Sequence, residues 1–105
     1  MANADLPLVT IEEAEAEAAE AFDWYKEKAG EEIAHGFRVA LRSTVDRVRA
    51  RPETYPKFEG NVRCCLFKRY PYAVLYEVTE AAIIVVAIMH LKRRPGYWMG
   101  RRTPG

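Results

Sequence analysis

Two histidines and two cysteines are the whole supply of imidazole and thiol ligands in this 105-residue chain. The cysteines are neighbours, Cys64 and Cys65, while His35 and His90 stand far apart. A structural metal site needs several ligands at paired spacings, so neither a metal nor a cofactor is expected. Adjacent residues of a strand point to opposite faces, which would strain a disulfide, so both cysteines read as reduced, small apolar residues. Long apolar runs are missing too. No segment approaches the roughly 20 apolar residues of a membrane helix. Met1-Ala2-Asn3-Ala4-Asp5 lacks the basic region and apolar core of a signal peptide, so a cytoplasmic location and no membrane partner are expected. Repeats, low-complexity tracts and linkers are absent. One domain over residues 1–105 is expected, with a core over about 7–98 and a loose basic tail over 99–105.

Charge is present in quantity but unevenly spread. Residues 1–32 hold ten acids and two bases, a balance of −8; residues 33–105 hold five acids and fourteen bases, a balance of +9. Such asymmetry gives one face that attracts anions and one that does not, or simply an acidic helix face beside a basic rim.

The spacing of apolar residues predicts a short edge strand over Leu6–Ile11, with Pro7 at its start. Thr10 and Glu13 fit a capping box for a helix over Ile11–Lys28. Ala14, Ala18, Ala21, Phe22, Tyr25 and Ala29 share one face of it, and Glu12, Glu13, Glu15, Glu20 and Glu27 the other. Gly30 interrupts the pattern. A second helix over Glu31–Ala50 carries Ile33, Phe37, Ala40, Leu41, Thr44, Val45 and Val48 on its apolar stripe and ends at Arg51-Pro52. Residues 52–61 read as a loop. Strands follow over Val62–Lys68, Ala73–Thr79 and Ala82–Leu91, close enough in sequence to pair antiparallel. The expected fold is α+β in the order β-α-α-β-β-β, an antiparallel sheet with a helical hairpin packed on one face.

The last quarter carries the chemistry. Ile83–Met89 is uncharged and mostly β-branched, the signature of a strand buried on both faces. One imidazole, three cations and two aromatics follow within nine residues, His90 to Trp98, and Pro95-Gly96 stops the strand. A buried strand that delivers such a cluster presents a site for an anionic, nucleic-acid-like or carboxylate-rich partner.

In order along the chain stand a strand, a helical hairpin with Ala14-Glu15-Ala16-Glu17 and Trp24-Tyr25, then Arg51-Pro52, Tyr55-Pro56 and Val62-Arg63. After them come Phe67-Lys68-Arg69-Tyr70-Pro71-Tyr72, Leu75-Tyr76-Glu77-Val78, the apolar run into His90, and Arg93-Arg94-Pro95. This order and spacing resembles the RelE/ParE superfamily, the toxin halves of type II toxin–antitoxin modules. The resemblance implies a toxin held inactive by a cognate antitoxin. It also implies one of two mechanisms: RelE-like members cut messenger RNA on the ribosome, and ParE-like members inhibit DNA gyrase by binding. The ribonuclease branch carries lysines on the first meander strand, an arginine just after the turn tyrosine, and cations with a tyrosine near the C-terminus. Here Cys64, Cys65 and Leu66 occupy the first place, and Ala73 follows Tyr72. Cations that would stabilise a phosphate transition state are thus largely missing from the sheet, which favours the ParE-like branch.

Under the ParE-like reading Lys92, Arg93, Arg94, Tyr97, Trp98 and Arg101 are candidates for target binding, the aromatics as hot spots or as a lid on the first helix. Under the RelE-like reading His90 is the one candidate base, with Lys68, Arg69 and Arg93 around the phosphate. A third reading is a non-toxic binding or co-repressor member. For the antitoxin, Phe22, Tyr25, Phe37, Leu41, Val45 and Arg63 are the candidate contacts, a helix lying in the hairpin groove and a strand adding to the sheet edge. Glu15, Glu17 and Glu20 read as a solvated helix face, His35 as structural or exposed, Trp24 and Tyr25 as helix-to-sheet packing, Tyr70 and Tyr72 as exposed turn residues and Tyr76 as core.

Overall fold

The computed structural model describes residues 6–104. Strand β1 (Leu8–Thr10) leads directly into helix α1 (Glu12–Ala29). The capping box does not form. Ile11 occupies the N-cap position and no side chain caps the helix. The reason is that the strand runs on to the helix start: Thr10 pairs with Val85, and the Ile11 N–H donates to the Val85 carbonyl at 3.1 Å. Glu12, Glu13 and Glu15 instead supply negative charge to the first turn, where the helix dipole favours it.

Helix α2 (Glu31–Ala50) follows after one residue. Gly30 makes this possible. Its φ of 98° is open to glycine, and its N–H closes α1 by donating to the carbonyls of Tyr25 and Lys26. Strands β2 (Lys57–Glu59), β3 (Val62–Leu66), β4 (Tyr72–Val78) and β5 (Ile83–His90) complete a five-stranded sheet in the order β1-β5-β4-β3-β2.

Two features differ from the sequence expectation. The sheet is mixed, because β1 runs parallel to β5 while the other pairs are antiparallel. That pairing joins residues more than 70 positions apart, beyond the reach of rules for sequential strands. The segment expected to be a loop contains β2, whose three residues are all exposed and so show no alternation to read.

The core is centred on β4 and β5. Residues 73–76 and 83–89 are all buried, with Phe37 and Val48 of α2, Ala14 and Ala21 of α1, and Trp98 packed against them. Ile33 lies off the α2 stripe and is exposed. Phe37 stands at the middle of an aromatic cluster with Phe67, Tyr70, Tyr72 and Tyr25, ring centroids 5.1–5.6 Å away. Tyr70 and Tyr72 are therefore half-buried in that cluster. The Tyr70 hydroxyl donates to the Ile33 carbonyl at 2.9 Å.

The β4–β5 ladder carries a bulge. Leu75 pairs with Ala87 and Tyr76 with Val85, so Val86 is the extra residue. Beyond the bulge, the phase of β5 against its open edge shifts by one residue. This places the Val86 carbonyl and the Ile88 N–H outward, past the point where β1 has ended.

Candidate binding surfaces at the β5 exit and the helical hairpin

The open edge of β5 is closed by side chains. Glu17 reaches from α1 and its Oε1 accepts the Ile88 N–H at 2.9 Å. Arg101 comes back over the same edge. Its Nη1 donates to Glu17 Oε1 at 3.0 Å and to the Val86 carbonyl at 2.9 Å, and its Nη2 donates to Glu17 Oε2 at 2.9 Å. Both side chains are mostly buried, 12% exposed for Glu17 and 16% for Arg101. The bidentate pair raises the Arg101 pKa further.

The segment between is held by stacking. The Tyr97 ring meets two guanidinium groups, with Arg93 3.8 Å and Arg101 5.1 Å from its centre. Burial, and then the Glu17 carboxylate beside it, push the Tyr97 phenol pKa up. Trp98 is buried in the core. Residues 97–101 thus form a strap across α1 and β5, not a loose tail. Trp98 and Arg101 are taken up by the fold, and Tyr97 is half-buried. Glu17, expected on a solvated face, is the hinge of the arrangement.

Lys92, Arg93 and Arg94 remain exposed where β5 ends. Their backbone is fixed by the Leu91 N–H donating to the Pro71 carbonyl at 3.0 Å and the Arg93 N–H donating to the His90 carbonyl at 3.0 Å. His90 packs edge-on against Tyr72 at 4.9 Å. Its Nδ1 accepts the Lys92 N–H at 3.0 Å. This geometry assigns Nδ1 as the unprotonated nitrogen and leaves the ring N–H at Nε2. A cleft of about 130 Å³ lies here, lined by Glu17, Glu20, Tyr72, Ile88, His90 and Arg93. Lys68 and Arg69 stand exposed in the adjoining β3–β4 turn.

The outer face of the hairpin carries a groove of about 270 Å³ lined by Ala18, Ala19, Phe22, Asp23, Phe37, Arg38 and Leu41. It continues along α2 past Leu41, Arg42, Val45, Asp46 and Arg49. Phe22, Leu41 and Val45 are half-buried, and Arg38 stacks on the Phe22 ring at 4.0 Å. Phe37 is only 1% exposed and forms the floor. Tyr25 is half-buried in the aromatic cluster, while Trp24 beside it is exposed rather than packed on the sheet.

Two arginines do structural work that the sequence did not announce. Arg63 Nη1 donates to the carbonyls of Tyr55 at 2.7 Å and Glu53 at 3.2 Å, which fixes the α2–β2 loop instead of leaving a surface cation. Arg47 bridges α2 to β3 through the Leu66 carbonyl at 3.0 Å and the Cys65 Sγ at 3.5 Å. Cys64 and Cys65 are free thiols, and burial pushes both pKa values up. No group of three or more potential metal ligands occurs among the described residues.

Comparison with known proteins agrees with this fold. A family model described as the ParE toxin of the type II toxin–antitoxin system parDE matches residues 11–95. The chain belongs to the ParE toxin family. The fold is shared with a solved structure titled chromosomal ParDE TA system from P. aeruginosa. The TM-score is 0.76 at 18% identity, over 85% of this chain and 99% of that one. No curated protein sequence matches. The ParE match begins at Ile11 and ends at Pro95, so β1 and the strap residues 97–101 lie outside it. No helix among the described residues is long and apolar enough to cross a membrane.

Proposed function

We propose that this chain is the toxin of a type II toxin–antitoxin module that stalls DNA gyrase by binding, with Lys92, Arg93 and Arg94 as the docking cations, and that a cognate antitoxin neutralises it in the cytoplasm. The observation that carries the binding reading is the state of the would-be catalytic centre. The single candidate base, His90, has its unprotonated nitrogen engaged by the Lys92 N–H, and the ring nitrogen that remains is a donor. Strand β3, separated from β5 by β4, offers Cys64, Cys65 and Leu66, and its one cation, Arg63, is engaged by the carbonyls of Glu53 and Tyr55. A binder needs neither.

For the antitoxin, the hairpin groove has the form that accepts an amphipathic helix. Phe22 of α1, with Leu41 and Val45 one turn apart on α2, are apolar anchors, and Arg38, Arg42 and Arg49 outnumber Asp23 and Asp46 around them. An acidic helix fits both features.

The test is gyrase supercoiling of relaxed plasmid with purified toxin in excess. Loss of supercoiling, relieved by added antitoxin, is the expected result; unchanged supercoiling at high excess rejects the gyrase target. Cleavage of messenger RNA in a translation extract, abolished by His90→Ala, would replace this reading with the ribonuclease one.

A further inference from the structure

We infer that the end of the sheet where β5 exits and the β3–β4 turn closes is a docking surface for the sugar-phosphate backbone of duplex DNA. The inference rests on the gyrase reading for the source of the DNA, since gyrase holds duplex DNA as its substrate.

The turn and the exit segment are brought together by the ladder. Tyr72 pairs with His90, and the Leu91 N–H donates to the Pro71 carbonyl. Lys68 and Arg69 of the turn therefore share one end of the molecule with Lys92, Arg93 and Arg94. The two ion pairs among the described residues, Lys26–Glu31 and Glu17–Arg101, involve none of these five. Five exposed cations at one end of a chain whose overall charge is +1 form a local field that suits a polyanion.

The rim is also stiff. Tyr70 is anchored on α2 through its hydroxyl and sits over Gly36, where a Cβ would come within 2.4 Å of that hydroxyl. Arg69 is the only residue other than glycine held at positive φ among the described residues, at 78°. Such a conformation is unfavourable for arginine, and strain of this kind gathers where a side chain is placed for use. On the other side, Arg93 is stacked on Tyr97. Preset cations lose little freedom on meeting phosphates.

Duplex DNA fits the strands and loops of this end better than single-stranded nucleic acid, which would want rings to stack on. The rings of the strands and loops at this end are already engaged. Trp98 is buried, Tyr70 and Tyr72 belong to the cluster around Phe37, and Tyr97 meets two guanidiniums. Contacts to a duplex backbone need only cations and N–H donors.

The experiment titrates a fluorescein-labelled mixed-sequence DNA duplex with the full chain and follows anisotropy from low to physiological salt. Binding is expected at low salt, with log K falling against log salt at a slope of about −4, as for four to five phosphate contacts. The variant Lys68→Ala/Arg69→Gly should lower affinity at least roughly tenfold and flatten the slope by about 2. Because glycine relieves the positive φ, its thermal midpoint should hold or rise, which separates lost contacts from lost folding. Arg51→Ala/Lys57→Ala removes the same charge away from this end, just past α2 and on β2, and should change affinity less than about twofold. Equal losses in the two variants, no duplex binding at low salt, or tighter binding of single-stranded RNA would each overturn the inference. DNA-free gyrase capture is measured on the same proteins. Capture of gyrase without duplex binding rejects the DNA surface and leaves the gyrase reading intact; duplex binding with gyrase supercoiling unchanged at high excess does the reverse.

Discussion

Gly36 sits in the middle of α2, where alanine is intrinsically better by about 1 kcal/mol. The packing reverses that preference. A Cβ there would collide with the Tyr70 hydroxyl, itself bonded to the Ile33 carbonyl. Gly36→Ala is therefore expected to destabilise the protein by roughly 1–3 kcal/mol, read from the urea midpoint; a gain in stability would show that Tyr70 yields freely. Tyr76 is the opposite case, a polar atom completed in the core. Its hydroxyl donates to the carbonyl of buried Pro52 at 2.6 Å. Tyr76→Phe should keep the ring packing and lose about 1–3 kcal/mol through the orphaned carbonyl. Glu17 carries the largest single expectation. Glu17→Ala strands a mostly buried guanidinium and an edge amide, a loss of about 3–5 kcal/mol. A thermal midpoint unchanged by that substitution would contradict the role assigned to the pair.

At the scale of elements, the C-terminal strap does for β5 what a sixth strand would otherwise do. Truncation after Gly100, which keeps buried Trp98 but removes Arg101, should leave β1 through β4 in place and sharply raise hydrogen exchange at the Ile88 amide, whose acceptor Glu17 would lose its anchor. If that amide stays protected, the strap is an ornament. In the hairpin groove, Leu41→Glu or Val45→Glu places a carboxylate among apolar anchors. Antitoxin affinity should then fall at least about a hundredfold by calorimetry, an effect of hot-spot size. These elements also mark how far the sequence could be read. Both helices were legible from their periodicity, and β3, β4 and β5 from their β-branched runs and turns. β2 was not, because Lys57-Phe58-Glu59 is exposed on every side and so shows no alternation. The Glu17–Arg101 pair joins residues 84 apart. In sequence Glu17 is one of several glutamates of one helix, and only the fold distinguishes it. Lys92, Arg93 and Arg94 were legible as a cluster, whereas the burial of Trp98 depends on where the strap lands.

For the molecule as a whole, titration at high pH gives a test that no single substitution provides. Burial lifts the phenols of Tyr25, Tyr72, Tyr76 and Tyr97 above their ordinary value of 10.0, and the thiols of Cys64 and Cys65 above 9.0. Each group holds its proton longer folded than unfolded. Their contribution is therefore complete below pH about 9 and is lost as pH rises through the folded-state values. The urea midpoint should be flat across that approach and fall steadily above it; a midpoint that rose with alkali would reverse the sign.

The order of synthesis gives the parallel pairing of β1 with β5 a further meaning. Residues 8–10 leave the ribosome first and must wait for residues 83–85 before they have a neighbour, and Glu17 must wait for Arg101. Loop closure over such spans carries an entropic cost before any contact rewards it. The helical hairpin, whose contacts are local, can form long before. A nascent chain would then offer the hairpin groove while its basic rim was still unmade. A neutraliser that recognises the hairpin could meet this protein before it became able to act.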